Sequence, residues 1–341
     1  MKRMQILGLV CMMVLGMSCE GKSSIPLLNS GKAKPLSAVK VWRKGFPAVE
    51  SLACLNGALY IFPMNDTYTA DIRELEYGDD IFAWIMTNRD NEEVNNASYC
   101  NGPDKYGQIW MYNAEQKKLC EYRAERHFCV KFINEYDGNH LPYPENCAVL
   151  SNRLVVGPSP VSDDNTSGSL AMWNLNGKSI KEIGLCPDEM RRKVPFDKEV
   201  NEADMSTYLS KVSAYNNHFA QALEKGGYIA FYELNEKDYS VVCRREWITE
   251  DIRRKSKKMD IPHGFVDVKM TDEYVFCAKC DCVQDGRRYA KTILVFDHKG
   301  KLLQHYKLDR KANCISVSYD GKSLYAGICD PAVGVALYHL E

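Results

Sequence analysis

Apolar and polar positions alternate along this chain in short runs separated by turn residues, and the clearest runs lie near its C-terminal end. Ile293, Leu294, Val295 and Phe296 lead into Asp297-His298-Lys299-Gly300, and Lys301 to Tyr306 leads out, which predicts a hairpin. Ile315 to Tyr319 alternates Ile, Val and Tyr with serine, turns at Asp320-Gly321 and returns through Tyr325. Asp-Gly between alternating runs is the strongest short hairpin signal. Degraded copies lie upstream. Leu52 to Phe62 folds around Asn56-Gly57, and later turns fall at Ser151-Asn152, Asn216-Asn217 and Asp272-Glu273. Measured at residues 57, 152, 217, 273 and 321, the steps are 95, 65, 56 and 48, so the first is about double the others. A unit at Asn101-Gly102 would divide it, but Val94 to Cys100 is too polar to read as its strand. A second hairpin type recurs at Ile109–Asn113, Leu170–Asn174, Ile229–Glu233 and Ile293–Asp297, with spacings of 61, 59 and 64.

Self-similarity at this period, built from short strands, predicts an all-β fold, a β-propeller of four-stranded blades around a channel. Residues 39–341 number 303, enough for six blades of about 50 residues, with five longer blades as the alternative. Gly334 to Leu340 supplies the third strand of the last blade, and Val39 to Trp42 is the strand that would complete it. Such pairing of the two ends would remove exposed sheet edges. Two stretches break the β pattern. Pro187 to Lys211 keeps an uneven helical rhythm, and Thr249 to Lys255 has the cap, acids and bases of a short helix. The basic run Arg253 to Lys258 reads as a solvated helix face before a phosphate or headgroup patch.

The first residues read as a targeting segment. Lys2 and Arg3 precede an apolar core from Ile6 to Leu15, too short to span a bilayer, and Gly16-Met17-Ser18-Cys19 follows. A cysteine after small residues at the end of such a core looks like a bacterial lipobox, although Gly16 stands where leucine is usual. The expected organisation is a lipoprotein signal peptide over 1–18, a lipid-anchored tether over 19–38 beginning at Cys19, and one propeller domain over 39–341. That organisation implies a cell-envelope, outer-membrane lipoprotein, facing the periplasm or the cell surface.

Composition narrows the partners. Forty-four basic and 45 acidic residues leave a net charge of -1, so nothing global favours nucleic acid. Twenty tyrosines and 11 phenylalanines suit strands. Ser318-Tyr319-Asp320-Gly321-Lys322-Ser323-Leu324-Tyr325 looks like the Ser-x-Asp-Gly-x-x-Leu hairpin of TolB-type propellers. With the lipobox-like start and Phe46-Pro47-Ala48-Val49-Glu50-Ser51-Leu52, the chain resembles the TolB-like six-bladed propeller lipoproteins of Bacteroides-type bacteria. The resemblance implies fold and address more than chemistry.

Candidate chemistry is sparse. Of 14 cysteines, Cys277-Ala278-Lys279-Cys280-Asp281-Cys282 is the sharpest cluster; packing, a local disulfide and a metal site are its readings in that order. A strand period of two would send Cys280 and Cys282 to one face and Cys277 to the other. No nucleophile elbow, His-Glu-x-x-His motif or phosphate-binding glycine loop is present, and no cofactor is expected. Asp163 to Gly168 reads as a polar turn before a calcium loop. A ligand would sit at the channel mouth, where Glu50, Glu145, Asn146, His263 and Asn313 are the nearest polar residues. The expected function is binding of an envelope protein, peptide or glycan. The alternative is a propeller-type hydrolase, lyase or lactonase using carboxylates at the mouth.

Overall fold

The computed structural model describes residues 25–340 apart from 43–47, 56, 64–68, 75–79, 85, 88–89, 91–92, 94–96, 101–106, 126–129, 160–167, 186–209, 250–262 and 330–331. Two short N-terminal strands, β1 (Lys34–Leu36) and β2 (Lys40–Trp42), precede four antiparallel sheets in chain order. The first joins β3 (Val49–Leu55), β4 (Ala58–Pro63), β5 (Ala70–Glu74) and β6 (Asp80–Trp84). The second joins β7 (Ala97–Cys100), β8 (Gln108–Asn113), β9 (Lys118–Ala124) and β10 (Val130–Asp137). The third joins β11 (Ala148–Val149), β12 (Leu154–Pro158), β13 (Gly168–Asn174) and β14 (Ser179–Leu185). The fourth joins β15 (Ser210–Tyr215), β16 (His218–Leu223), β17 (Tyr228–Asn235) and β18 (Ser240–Ile248).

The rest forms one eight-stranded sheet of β19 (Phe265–Met270), β20 (Tyr274–Gln284), β21 (Arg287–Asp297), β22 (Leu302–Val317), β23 (Ser323–Ile328), β24 (Gly334–His339), β2 and β1. The long β22 serves two blades. Its first half, to Lys307, pairs with β21, while Ala312 to Val317 pairs with β23. The sheet is therefore a fifth blade, β19 to early β22, and a sixth made of late β22, β23, β24 and β2.

Six apolar clusters fill the seams between neighbouring blades, and together they close the ring. Tyr60 and Ile72 meet Met111 and Tyr122 between blades one and two, and Trp110 meets Val155 and Trp173 between two and three. Val156 and Met172 meet Val212 and Phe219, then Phe231 meets Val275 and Phe296. Ile293 and Val295 meet Ile315 and Tyr338, and the last seam sets Trp42, Tyr325 and Val335 against Leu52 and Leu59. An inner strand is covered on both faces, so it reads as an unbroken apolar run rather than an alternating one. β4 is the example: every residue from Ala58 to Pro63 is buried.

Turn chemistry matches the sequence. Gly321 has φ +67°, Ser318 Oγ lies 2.6 Å from Asp320 Oδ1, and that carboxylate accepts the Lys322 N–H at 3.1 Å. Asn216 supplies the left-handed position, φ +54°, between β15 and β16. The ends close as expected, with Lys40 opposite Leu337 and Trp42 opposite Val335.

Three sequence expectations change. Ala97 to Cys100 does form a strand, despite its polarity, because only Cys100 is fully buried in its seam. Ile109–Asn113 falls on the second strand of its blade, whereas Leu170–Asn174, Ile229–Glu233 and Ile293–Asp297 fall on third strands. Two-sided burial makes second and third strands look alike in sequence. Residues 25–38, expected within a tether, are instead laid over the outer edges of blades four and five. Leu28 N–H donates to Ile248 O at 2.7 Å, and β1 runs parallel to β22 with Leu36 opposite Leu308. Leu28 and Leu36 are apolar anchors, buried in the seams at either side of blade five. Cys19, the 1–18 leader, the Asn101-Gly102 turn, the Asp163 turn and nearly all of both helical stretches lie outside the described residues; Ser210 and Lys211 belong to β15.

Candidate functional site: the mouth of the channel

Four antiparallel strands return the chain to its starting face, so every blade begins on the same side of the ring. The first strands pack side by side, β3 against β22, β22 against β19, and β19 against β15. Their leading residues form one rim. Glu50 is the second residue of β3 and Lys211 the second of β15, while Glu145 and Asn146 sit in a short 3-10 turn, Pro144–Asn146, just before β11. That turn packs against β7, β12 and β15, which places it over the channel rather than outside the ring.

Charges of both signs converge there. Glu50 keeps access to solvent on this rim, although neighbouring protein atoms shield part of its carboxyl. Its carboxyl is pushed above the ordinary range, first by lost solvation, with Lys211 opposing and Glu145 adding to the rise. The Lys211 ammonium is pulled down by burial, while Asp267, Glu145 and Glu50 favour its charge and Arg288 disfavours it. Lys211 Nζ lies 3.8 Å from Glu224 Oε1. Arg288, from β21, clamps the same glutamate through its Oε2 and donates to the Glu224 carbonyl at 2.7 Å.

A second group braces the wall. Asp267 is buried in β19, and its carboxylate accepts the N–H groups of Val268 and Ile315, each at 2.9 Å. Lys269 Nζ stands 3.6 Å from Asp267 Oδ1 and 5.4 Å from the Tyr99 ring centre. Tyr99 belongs to blade two and stacks on Phe62 of blade one, their centroids 4.7 Å apart. Lys269 therefore reaches across the channel from blade five, and the mouth above it is a cup with a floor. Asn313 Nδ2 donates to Val49 O, joining the sixth blade to the first.

The expected residues divide accordingly. Glu50 and Glu145 share one electrostatic neighbourhood. Asn146 is 2% exposed beside them, with its Oδ1 lacking a partner. Asn313 is a wall brace. His263 lies exposed on the rim, bridged to Lys225, and is not among the charges that act on Glu50 and Lys211. Sequence reading missed Lys211, Asp267, Lys269, Glu224 and Arg288. Asp267 had a signal, a charge inside the apolar run Phe265–Met270; Lys211 was hidden at the end of a stretch read as helical.

The cysteine cluster resolves into packing. All ten described cysteines are free thiols. Cys277 faces the seam between blades four and five, and Cys280 the seam between five and six, on opposite faces as the strand period requires. Among the described residues, no three His, Cys, Asp or Glu side chains gather as metal donors do.

No protein-family model and no curated protein matches the chain. Solved structures do. The chain is similar to the structure of U3-55K at 9% identity, with a TM-score of 0.50 over 89% of this chain and 98% of that one. The WD40 repeats of RRP9 give the same values. The β-propeller domain of Myceliophteria thermophila Cps50 (Swd1) is similar at 7% identity, with a TM-score of 0.51 over 90% of this chain and 100% of that one. At such identities the likeness is one of architecture, and the architecture is a β-propeller.

Proposed function

We propose that the protein is a lipid-anchored binding module of the bacterial cell envelope, which takes a protein, peptide or glycan partner at the channel mouth. The observation that carries this reading is the cup itself, where Glu50, Glu145 and Lys211 meet above the Lys269 floor. An acid and an amine on one rim, each deprived of part of its solvation, can be relieved by an incoming polar group, and that differential is what a recognition site uses. The propeller neighbours include WD40 domains, in keeping with a module that meets other proteins. The anchor at Cys19, the envelope address and the TolB-like lipoprotein kinship rest on the sequence features alone.

Cross-linking in envelope preparations, compared between the native chain and Glu50→Gln/Lys211→Met, tests the reading. A specific adduct lost in the double variant supports it, and an adduct that survives unchanged moves the partner site elsewhere. The second reading, a hydrolase, lyase or lactonase, is favoured by one observation: Glu50 is raised and Lys211 lowered, the direction an acid and base pair needs at neutral pH. Turnover of an ester, lactone or glycoside that vanishes in Glu50→Gln while the fold survives would establish it.

A further inference from the structure

The N-terminal segment that laces the outer edges carries only one sign of charge. From Ile25 to Trp42 there is no Asp or Glu, while Lys32, Lys34 and Lys40 all fall within it. The described part is pinned in a fixed order. Leu27 bridges Ile248 at the end of blade four, β1 lies along β22 of blade five, and β2 lies along β24 of blade six. Lys32, Lys34 and Lys40 are exposed on this strap, as are Leu27 at 50% and Val39 at 56%. Leu303 of the neighbouring β22 is also open, at 39%, and Lys307 further along that strand keeps 44% of its side chain in solvent while pairing with Asp281 at 2.7 Å. Lysines interleaved with exposed aliphatic side chains are the composition of a surface that rests on anionic lipid.

Chain length fixes where that surface must lie. Ile25 is six residues beyond Cys19, and its neighbour Pro26 accepts the Ile248 N–H at 3.1 Å. Six extended residues reach about 20 Å. An acyl chain on Cys19 would hold the blade-four end of the strap within that distance of the bilayer. We infer that the flank formed by the strap and the outer edges of blades four to six is a docking surface for an anionic phospholipid bilayer. This deepens the anchored-module reading and draws its geometry from Cys19. The propeller then lies on its side, with the channel axis along the membrane and the cup opening sideways to partners in the same plane. A lipid on Cys19 and a basic patch are two membrane signals, and two signals make attachment durable.

The test uses the chain from Glu20 onward, which keeps every strand described above and carries no lipid. Its co-sedimentation is measured with vesicles of phosphatidylglycerol and phosphatidylcholine, and with phosphatidylcholine alone. The flank variant is Lys32→Glu/Lys34→Glu/Lys40→Glu; the control is Arg123→Glu/Lys131→Glu/Lys181→Glu on blades two and three. Binding to the mixed vesicles should fall at least tenfold in the flank variant and less than twofold in the control, with little binding to phosphatidylcholine. Equal losses in both variants, or no binding to anionic vesicles, would overturn the surface. The mass of the N-terminal peptide from envelope-purified protein reports the anchor separately. Lipid at Cys19 with an indifferent flank leaves the anchor and removes the surface. An unmodified Cys19 with a flank that still binds removes the anchor and leaves the surface.

Discussion

Arg153 Nη2 lies 2.6 Å from Glu121 Oε2, an ion pair that crosses from the first turn of blade three to the third strand of blade two. Glu121 is 1% exposed, and Gln108 Nε2 also donates to it, at 3.2 Å. Arg153 itself is held in the left-handed region, φ +65°, where its guanidinium meets the Tyr136 hydroxyl and lies 6.0 Å from the Trp110 ring. The pair buttons two blades together, and the arginine keeps about half its side chain in water.

Removing only the arginine should therefore be costly. Arg153→Met leaves a buried carboxylate without its counter-charge, an expected loss of about 3 kcal/mol. Glu121→Gln with Arg153→Met should lose less than Arg153→Met alone. Urea unfolding of the two single variants and the double variant measures the coupling, and strict additivity would show that the pair is only a surface contact.

Gly264 and Gly286 should both lose stability when changed to alanine, but for different reasons. A Cβ at Gly264 would come 2.0 Å from Leu223 O and 2.8 Å from the Glu224 carbonyl carbon, so β19 would have to leave blade four. The expected cost is about 3 kcal/mol, with a disturbed mouth. Gly286 meets nothing within 4 Å but has φ +73°, so alanine there should cost about 1 kcal/mol in backbone strain alone.

His218 and His298 meet across the seam of blades four and five with ring centres 4.8 Å apart. Burial lowers both, and His298 lowers His218 further; Arg244 adds to this, while Glu233, Asp297 and Asp272 oppose it. The His298 Nε2 contact to Thr271 O, at 2.9 Å, holds that ring in place, and Tyr215 packs 6.3 Å away. The unfolded chain takes up protons near pH 6.5, before the folded one does. Stability should be full above that pH and fall as the pH drops below it. His218→Gln should flatten the melting temperature between pH 7 and pH 5.

Glu50 has the opposite linkage. Its raised carboxyl keeps a proton in the fold to higher pH than in the unfolded chain, so its ionisation weakens the fold as the pH rises past the ordinary carboxylate range. Glu50→Gln should raise the melting temperature slightly at pH 8 and leave it almost unchanged at pH 4. A fall at pH 8 would mean that Lys211 depends on Glu50 for its charge.

Burial pushes the Cys54 and Cys120 thiols up to about 12 and Cys280 up to about 11. The thiolate is the reactive form, so these should react slowly with Ellman reagent at pH 8 and fully after unfolding in guanidinium. Fast native reaction at these three would show that the seams open.

Much of the ring was legible because turn residues do not depend on context. Asn56-Gly57, Asn216-Asn217 and Asp320-Gly321 each separate the first and second strands of a blade, and each could be placed from chemistry alone. Third strands such as Ile229 to Glu233 were visible as apolar runs, but Ile109 to Asn113 mimics them from a second strand, since both positions are buried on two faces. The mouth was half legible. Glu50 and Glu145 follow from strand direction, whereas Lys211 and Arg288 meet Glu224 only through the packing of blades four and five. The strap escaped because Lys32 to Lys34 has the composition of a linker, and Leu28 and Leu36 are too far apart to form a pattern.

That strap also orders events in time. Lys40 finds its partner in Leu337, and Ala38 donates to Asp309, so an early stretch of the chain is tied to one about 270 to 300 residues later. Contacts so distant in sequence close slowly, because the whole intervening loop must be organised first. Blades one to four can form as the chain lengthens, but the seam holding Trp42 and Tyr325 has to wait for the last strand. Until β2 pairs with it, β24 presents an open edge to any other strand nearby. For this protein the hazardous interval is the one just before completion, and a charged, aliphatic strap waiting at the other end of the chain is what brings it to a close.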